Sequence, residues 1–567
     1  MSWARCWRLV LLICLPALVS CSLILSQQPA CLVDSDCGQE GVCDEASGLC
    51  RELVSGPDCG ELIGSRLGPE SLLLGFVAPL SGENTESGLY LRRAVELAVD
   101  EINNVGGVGG RQGGKPLAVL LCDDQGDPEV GERAARYLAE VAGVPAIIGA
   151  AFSMVTAHIA QEVAIPSGTL LISPASTAVA LSALADQNLV WRTVAPDSRQ
   201  ADTMAHFATW EVLQAAGVSA QGEASASSAT VEVAMVAPDD VYGNGLMSSF
   251  EEAVSASVDQ VLRFSVDGLA LGTGGLDLRI TPFYHVPGDP DSMAQAAAQV
   301  ADLDPDVVLL VGYDESAGLV GQVLSHQQLA TSASLFLADG LRSDDLGTFL
   351  GSSADSKPRL LFGTNPGGRL ATDGIWLGFR DRYAQRWSEP VDELHNYVEN
   401  AYDATYLLAY ALAATDSAQP AGSELAAALA RVNGGAETTL LVGEDDALRA
   451  FNAFGGEGAL KLRGASGEIA FDGNGDPQAG SVLRWDVNFQ AGTSTWSIDE
   501  CGIATSYDVS GGRVRDWCAA YCTESIPVQT DGDDDDSADG DDDDSADGDD
   551  DDSTPAPADP CRPPVMG

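Results

Sequence analysis

Lysine is almost missing from this chain. Of 567 residues only Lys115, Lys357 and Lys461 carry an ammonium, and Lys and Arg together number 29 against 84 Asp and Glu. A formal net charge of −55 excludes nucleic acid as a partner, because phosphate binding needs clustered cations. Histidine is equally sparse, and the five present (His158, His206, His285, His326, His395) form no pair at metal-ligand spacing. No Walker pattern or nucleophile elbow occurs, so the sequence does not point to an enzyme, and no metal or cofactor is expected. After the N-terminal stretch no apolar run is long enough to span a bilayer. What remains is ample: 45% of the residues are hydrophobic, enough for a large folded core with appendages.

Those appendages are read from local composition. Residues 1–20 in "MSWARCWRLVLLICLPALVSC" join a basic start to an apolar stretch and small residues, the pattern of an export signal. Leu18-Val19-Ser20-Cys21 resembles a bacterial lipobox, so Cys21 is expected to take a lipid and anchor the protein to a membrane, with Ser22 favouring the outer membrane. An ordinary cleaved signal with a chance Cys is the alternative. Cys31, Cys37, Cys43 and Cys50 then mark a small disulfide-stapled module within residues 21–69, with pairing left open. Cys501, Cys518 and Cys522 suggest a tied cap over residues 498–526. In residues 527–567 the repeats of "DGDDDDSA" are too charged and apolar-poor to form a core, so a disordered acidic tail is expected, with weak calcium binding as the alternative. Residues 531–567 hold 16 Asp and one Arg, which leaves about −40 for the rest of the chain.

Between these ends, residues 70–497 alternate short apolar runs with helix-like stretches. "SLLLGFVAPLSG", "KPLAVLLCDD", "VPAIIGA" and "GTLLISPAS" read as strands of a parallel sheet covered on both faces. The first helix sets Leu91, Val95, Ala98 and Ile102 on one face and is closed by Gly106-Gly107, which makes "GGVGGRQGG" a turn after a helix and not a phosphate loop. A second series, with "TVEVAMVAPDD", "DVVLLVGYD" and "ASLFLADG", predicts a second α/β lobe. Asp472, Asn474 and Asp476 lack the acid that would complete a calcium loop, so "FDGNGDP" reads as a turn. Cys122 falls inside a predicted strand and reads as a buried free thiol.

Taken in order, "LLLGFVAPLSG", "RRAVELAVDEIN", "CDDQGDPE", "AIIGAAFS", "LLISPAST", "WRTVAPD", "DDVYGNG", "LFLADG" and "GEIAFDGNGD" resemble the leucine/isoleucine/valine-binding protein family of periplasmic solute receptors. The resemblance implies an α/β clamshell of two lobes, each a mainly parallel sheet flanked by helices, joined by three crossover segments near 193–197, 362–367 and 480–486. It implies one lobe from 71–194 and 366–481, and another from 196–362 and 485–497.

It also implies a ligand site for an amino acid or similar zwitterion. Ser153, Ser176 and Thr177 lie on two turns that hold the ligand carboxylate, where helix N-termini offer unpaired N–H groups. Taken singly, each cluster is an ordinary N-cap. Asp339 takes the place of the acid that meets the ammonium, and Tyr242 and Tyr313 close over the ligand from the second lobe. Ser87 stands where family members often carry a large aromatic, and the family's disulfide positions hold Gly126 and Phe152. The expected function is a lipid-anchored, extracytoplasmic receptor serving an ABC transporter permease or a sensor partner. A scaffold or adhesion lipoprotein that keeps the fold without a ligand is the competitor.

Overall fold

This computed structural model describes residues 41–44, 49–52, 56, 58–507 and 513–514, apart from 65–70, 83, 111–112, 218–228, 265–275, 314–315, 327–328, 343–345, 347–349, 351–359, 368–372, 389–395, 416, 418–419 and 491–494. The signal with Cys21, most of the small Cys module, the cap cysteines Cys518 and Cys522, and the acidic tail lie outside the described residues. Of the Cys module, strands β1 (Gly41–Asp44) and β2 (Leu49–Glu52) pair antiparallel, with Cys43 opposite Cys50.

Two sheets organise the rest. The first holds β3 (Cys59–Gly64), β4 (Leu72–Ala78), β5 (Leu117–Asp123), β6 (Ala146–Gly149), β7 (Leu170–Ser173) and β8 (Val190–Arg192), in the order β3-β5-β4-β6-β7-β8. From β5 to β8 every neighbour is parallel. Unbroken apolar runs such as LAVLLC in β5 are buried because helices cover both faces. One face packs on the helices Thr85–Asn104 and Val398–Ala413, the other on Pro128–Arg136 and Ser153–Ile159. The predicted face of the first helix, Leu91, Val95, Ala98 and Ile102, is buried. Its terminal Gly107 has φ +84, and a Cβ there would stand 2.4 Å from the Lys115 carbonyl oxygen, so only glycine closes this turn.

The second sheet begins with β9 (Ala229–Pro238), β10 (Leu276–His285), β11 (Val307–Leu310), β12 (Ser334–Leu337) and β13 (Leu360–Pro366), ordered β10-β9-β11-β12-β13 and all parallel. A small sheet of β14 (Thr439–Leu441), β15 (Lys461–Gly464) and β16 (Gly467–Ile469) belongs to the first lobe. Strands β17 (Gly480–Gln490), β18 (Thr495–Tyr507) and β19 (Arg513–Val514) then extend the second sheet antiparallel beyond β13. The helices Asp197–Ala215 and Val241–Phe264 cover one face of that sheet, and Pro290–Leu303 and Ala317–Ser325 the other.

The chain passes between lobes three times, after β8, after β13 and before β17. These crossings are bound together: Gln200 Nε2 donates to the Thr364 carbonyl at 2.8 Å and the Gly367 N–H to the Ser481 carbonyl at 2.9 Å, while Thr193 Oγ1 ties the first crossing to the Val398–Ala413 helix by donating to the Asn400 carbonyl at 2.9 Å.

Three expectations change. The segment 59–64, assigned to the linker, is an edge strand of the first sheet. Cys122 is no free thiol: it is bonded to Cys59 directly opposite it on β3, 63 residues away. The boundary drawn at 497 cuts through β18, which continues the sheet to Tyr507 because the outer edge of β17 would otherwise leave its backbone groups unpaired. Replacing both Cys59 and Cys122 by Ala is expected to lower the unfolding free energy by about 2–4 kcal/mol. Urea unfolding of the full-length protein measures this, and an unchanged midpoint would show that the bond adds nothing to the fold.

Candidate functional site

The parallel strands of both sheets share one order, β5-β4-β6-β7-β8 and β10-β9-β11-β12-β13, with the second strand first and the first strand next to the third, which puts a switch point between β4 and β6 in one lobe and between β9 and β11 in the other. Loops leaving the carboxyl ends of strands diverge there and leave a crevice. A cavity of about 80 Å³ lies at this place, with Ser153 and Thr177 on the wall from the first lobe and Tyr242, Tyr313 and Asp339 from the second.

On the first lobe, Ser153 opens its helix straight after β6, and its hydroxyl oxygen accepts the Ala178 N–H at 3.1 Å. That bond ties the two turns together and leaves the hydroxyl hydrogen for another acceptor. Thr156 N is the first in the helix to find an i−4 carbonyl, so the N–H groups before it have none within the helix. Ser176 does not line the cavity. Its hydroxyl lies 2.7 Å from Thr156 Oγ1 and near the carbonyls of Ala150 and Ala151, so it fastens the second turn to the first. Ser173 does the same from the end of β7, donating to the Ala150 carbonyl at 2.7 Å and accepting the Ser176 N–H at 3.0 Å. The second turn leads into a helix of only four residues, Val179–Ser182.

Arg192, the last residue of β8, holds that second turn from below. It is 2% exposed, pairs with Asp476 at 2.5 Å through Nε, and donates from Nη1 to the carbonyls of Ser176 and Ala178. The "FDGNGDP" segment is the expected turn, with Asp472 accepting the N–H groups of Asn474 and Asp476, and its last Asp serves as the counter-ion of Arg192.

On the second lobe, Asp339 follows β12 and is 4% exposed. Tyr242 donates to its Oδ1 at 2.8 Å, and Tyr397 to its Oδ2. Burial raises the Asp339 pKa above the usual range, while the phenols of Tyr397 and Tyr242 and the Gln200 amide hold it back. Burial also pushes both phenols well up, and the Asp339 charge pushes them further. Gly340 is needed beside it, because a Cβ there would stand 2.1 Å from the Gly312 carbonyl oxygen. Tyr313 donates to Asp240 Oδ2 at 2.5 Å and meets the Phe152 ring of the other lobe edge-on at 5.2 Å.

Several wall residues were not singled out in the sequence. Tyr397, the residue before the Val398–Ala413 helix, has φ +70, a conformation rare for a bulky side chain, and brings its hydroxyl from the first lobe to Asp339 of the second. Asn396 donates to the Asp339 carbonyl at 3.0 Å and accepts from Arg342 Nη1 at 3.0 Å. The polar "HNY" just ahead of the apolar "VENAYDATYLLAYALAA" run was the available signal. Ser87 stands on the cavity wall. Gly126 and Phe152 are neighbours, a Cβ on Gly126 falling 3.4 Å from the Phe152 ring.

Two lobes, three laced crossings and a cavity at the switch points of both sheets define the clamshell class of binding proteins. Residues 72–454 match the periplasmic binding protein family, and the chain belongs to it. That family consists of substrate-binding proteins and not of enzymes. Among curated relatives, the chemotactic signal transduction system substrate-binding protein BasB of Halobacterium salinarum is 26% identical over 445 residues, 77% of this chain and 91% of that protein. The Leu/Ile/Val-binding protein BraC3 of Rhizobium johnstonii is 26% identical over 282 residues, 48% of this chain and 63% of that protein. The crystal structure of the branched-chain amino acid transporter substrate binding protein LivJ of Streptococcus pneumoniae in complex with isoleucine has the same fold, with TM-score 0.53, 19% identity, and coverage of 76% of this chain and 99% of that one. A solute binding protein of R. palustris in complex with 4-hydroxybenzoate gives TM-score 0.55 at 13% identity, covering 76% and 96%.

Arg192→Met is expected to cost about 3–5 kcal/mol of stability, because it leaves the Asp476 carboxylate buried without its cation. Chemical unfolding checks this, and a loss below about 1 kcal/mol would show that the pair does not hold the turn.

Proposed function

We propose that the protein traps an amino acid or a similar small zwitterion between its lobes. The reading is carried by one juxtaposition: a pair of donor-rich turns with Ser153 and Thr177 faces the Asp339 carboxyl across a single cavity. A carboxylate is matched by hydroxyls and unpaired N–H groups at helix starts, and an ammonium by a carboxylate with spare lone pairs. Each Asp339 oxygen accepts one phenol hydrogen, and the carboxyl stands on the cavity wall, where an ammonium would meet it. A benzoate-like acid offers nothing to Asp339, so the second charge is what argues for a zwitterion. Phe152 and Leu91 supply apolar wall for the remainder of the ligand. Ser176 belongs to this account as the fastener of the turns.

Closure is a shift between open and closed forms, and the ligand moves it only as far as it prefers the closed one. The closed form delivers its solute to a membrane transporter of the ABC type. A sensing role is the second reading, favoured by the likeness to BasB, named for chemotactic signalling. The Cys59–Cys122 bond suits an oxidising, extracytoplasmic compartment, and the "LVSC" sequence supports a lipid anchor at Cys21 in a bacterial outer membrane. Among the described residues no helix is long and apolar enough to cross a membrane.

Thermal unfolding of the full-length protein against the α-amino acids, benzoate and short aliphatic acids tests the reading. A ligand at 100 times its Kd adds about 2.7 kcal/mol and raises the midpoint. Asp339→Ala is expected to abolish the shift with amino acids while the protein stays folded, and Ser153→Ala to weaken it less because backbone N–H groups remain. A shift unaffected by Asp339→Ala would remove Asp339 from the site. No shift with any compound would favour a scaffold that has kept the fold.

A further inference from the structure

Among the described residues Arg342 is the one cation on the cavity wall, as Asp339 is the one acid, and a simple zwitterion brings no group to match it. The two charges share a short stretch of chain. Asp339–Leu341 forms a single 3-10 turn after β12, and the Arg342 N–H closes it by donating to the Asp339 carbonyl at 3.1 Å. One turn of the second lobe therefore presents a carboxyl and a guanidinium to the same space.

The guanidinium is aimed by the first lobe. Asn396 Nδ2 donates to the Asp339 carbonyl at 3.0 Å, which orients the amide so that its oxygen receives Arg342 Nη1 at 3.0 Å. Asn396 is neutral, so this bond positions the guanidinium without cancelling its charge.

We propose that Arg342 reads a second acid on the ligand, so that the solute trapped between the lobes is an acidic amino acid, with its α-ammonium at Asp339, its α-carboxylate at Ser153 and Thr177, and its side-chain carboxylate at Arg342. The proposal deepens, and rests on, the reading that an α-amino acid binds in this cavity.

Charge matching carries it. The two turns and Asp339 already meet both charges of a simple zwitterion. An aliphatic ligand such as L-leucine brings only methyl groups to the rest of the wall, so on closure the guanidinium would give up water for an apolar neighbour. A side-chain carboxylate is the better match, because guanidinium donors lie in a planar fork that fits two carboxylate oxygens. A latch to Asn396 alone would be served equally by a neutral donor, and so does not account for a cation here. The cavity of about 80 Å³ suits a short side chain, which points to aspartate or glutamate, and Phe152 and Leu91 offer apolar wall for its methylene groups.

Titration calorimetry of the full-length protein at neutral pH tests this with two closely matched pairs, L-glutamate with L-glutamine and L-aspartate with L-asparagine, and with L-leucine as the reference. At least one acid is expected to bind roughly tenfold or more tightly than its amide, as a charge-assisted hydrogen bond provides. Arg342→Gln, which keeps a donor for Asn396 and removes the charge, should bring that ratio close to one, and Arg342→Lys should keep part of it. Thermal unfolding without ligand checks that both variants are folded. Equal affinity for acid and amide in both wild-type pairs overturns the proposal whatever the variants do, as does an acid preference that survives Arg342→Gln. If Arg342→Gln weakens L-leucine as much as it weakens the acid, Arg342 serves closure of the lobes and the proposal also falls. Tight L-leucine with neither acid favoured refutes the second-acid assignment alone, whereas no binding by any of these amino acids refutes the amino-acid reading with it.

Discussion

The carboxyl of Asp339 is the group around which the two lobes are arranged. A carboxyl that is 4% exposed needs donors to remain charged, and it receives one phenol from its own lobe, Tyr242, and one from the other, Tyr397. The hydrogen bond from Tyr397 therefore joins the lobes through the functional group itself. Further contacts cross the same gap, among them the edge-on meeting of Phe152 with Tyr313, the bond from Arg342 to Asn396 and the bond from Asn396 to the Asp339 carbonyl. Closure and the chemistry of the site are one arrangement, because the groups that line the cavity are the groups that touch across it.

That arrangement depends on placement by the backbone. The repeated strand order sends the loops after β6 and β7 of one sheet toward the loops after β9, β11 and β12 of the other. The laced crossings limit how the lobes can move apart, since Gln200 and Thr364 bind the first crossing to the second, Gly367 and Ser481 bind the second to the third, and Thr193 and Asn400 tie the first crossing to a first-lobe helix. Arg192 then converts the end of β8 into a support for the turn that carries Thr177. Strain is accepted where it serves this placement: Tyr397 adopts φ +70 at the start of a helix buried from Val398 to Leu412.

Much of the fold was legible because it rests on local pattern. Continuous apolar strands such as VVLL and LLIS, and the 3.6-residue spacing of Leu91, Val95, Ala98 and Ile102, mark parallel sheet and covering helix without knowledge of the partner. Ser153, Thr177, Tyr242, Tyr313 and Asp339 were legible through motif resemblance, and they do meet at one cavity. What was not legible depends on long-range partners. The bond of Cys59 to Cys122 and the pairing of β18 on β17 need the sheet edges to be known first. Tyr397 and Asn396 lie 57 or more residues from Asp339 and owe their position to a left-handed turn that their sequence does not announce. Ser176 was misplaced because a hydroxyl on a turn reads the same whether it faces the cavity or the neighbouring turn.

The measurement closest to the central claim is titration calorimetry of the full-length protein with three related compounds: L-leucine, its des-amino acid 4-methylpentanoate, and its decarboxylated amine 3-methylbutylamine. The account predicts heat with L-leucine, and binding weaker by roughly a hundredfold or more for either compound that lacks one charged group, since each leaves a buried partner unmet. Equal affinity for 4-methylpentanoate and L-leucine would contradict it, for Asp339 would then have no ammonium to receive.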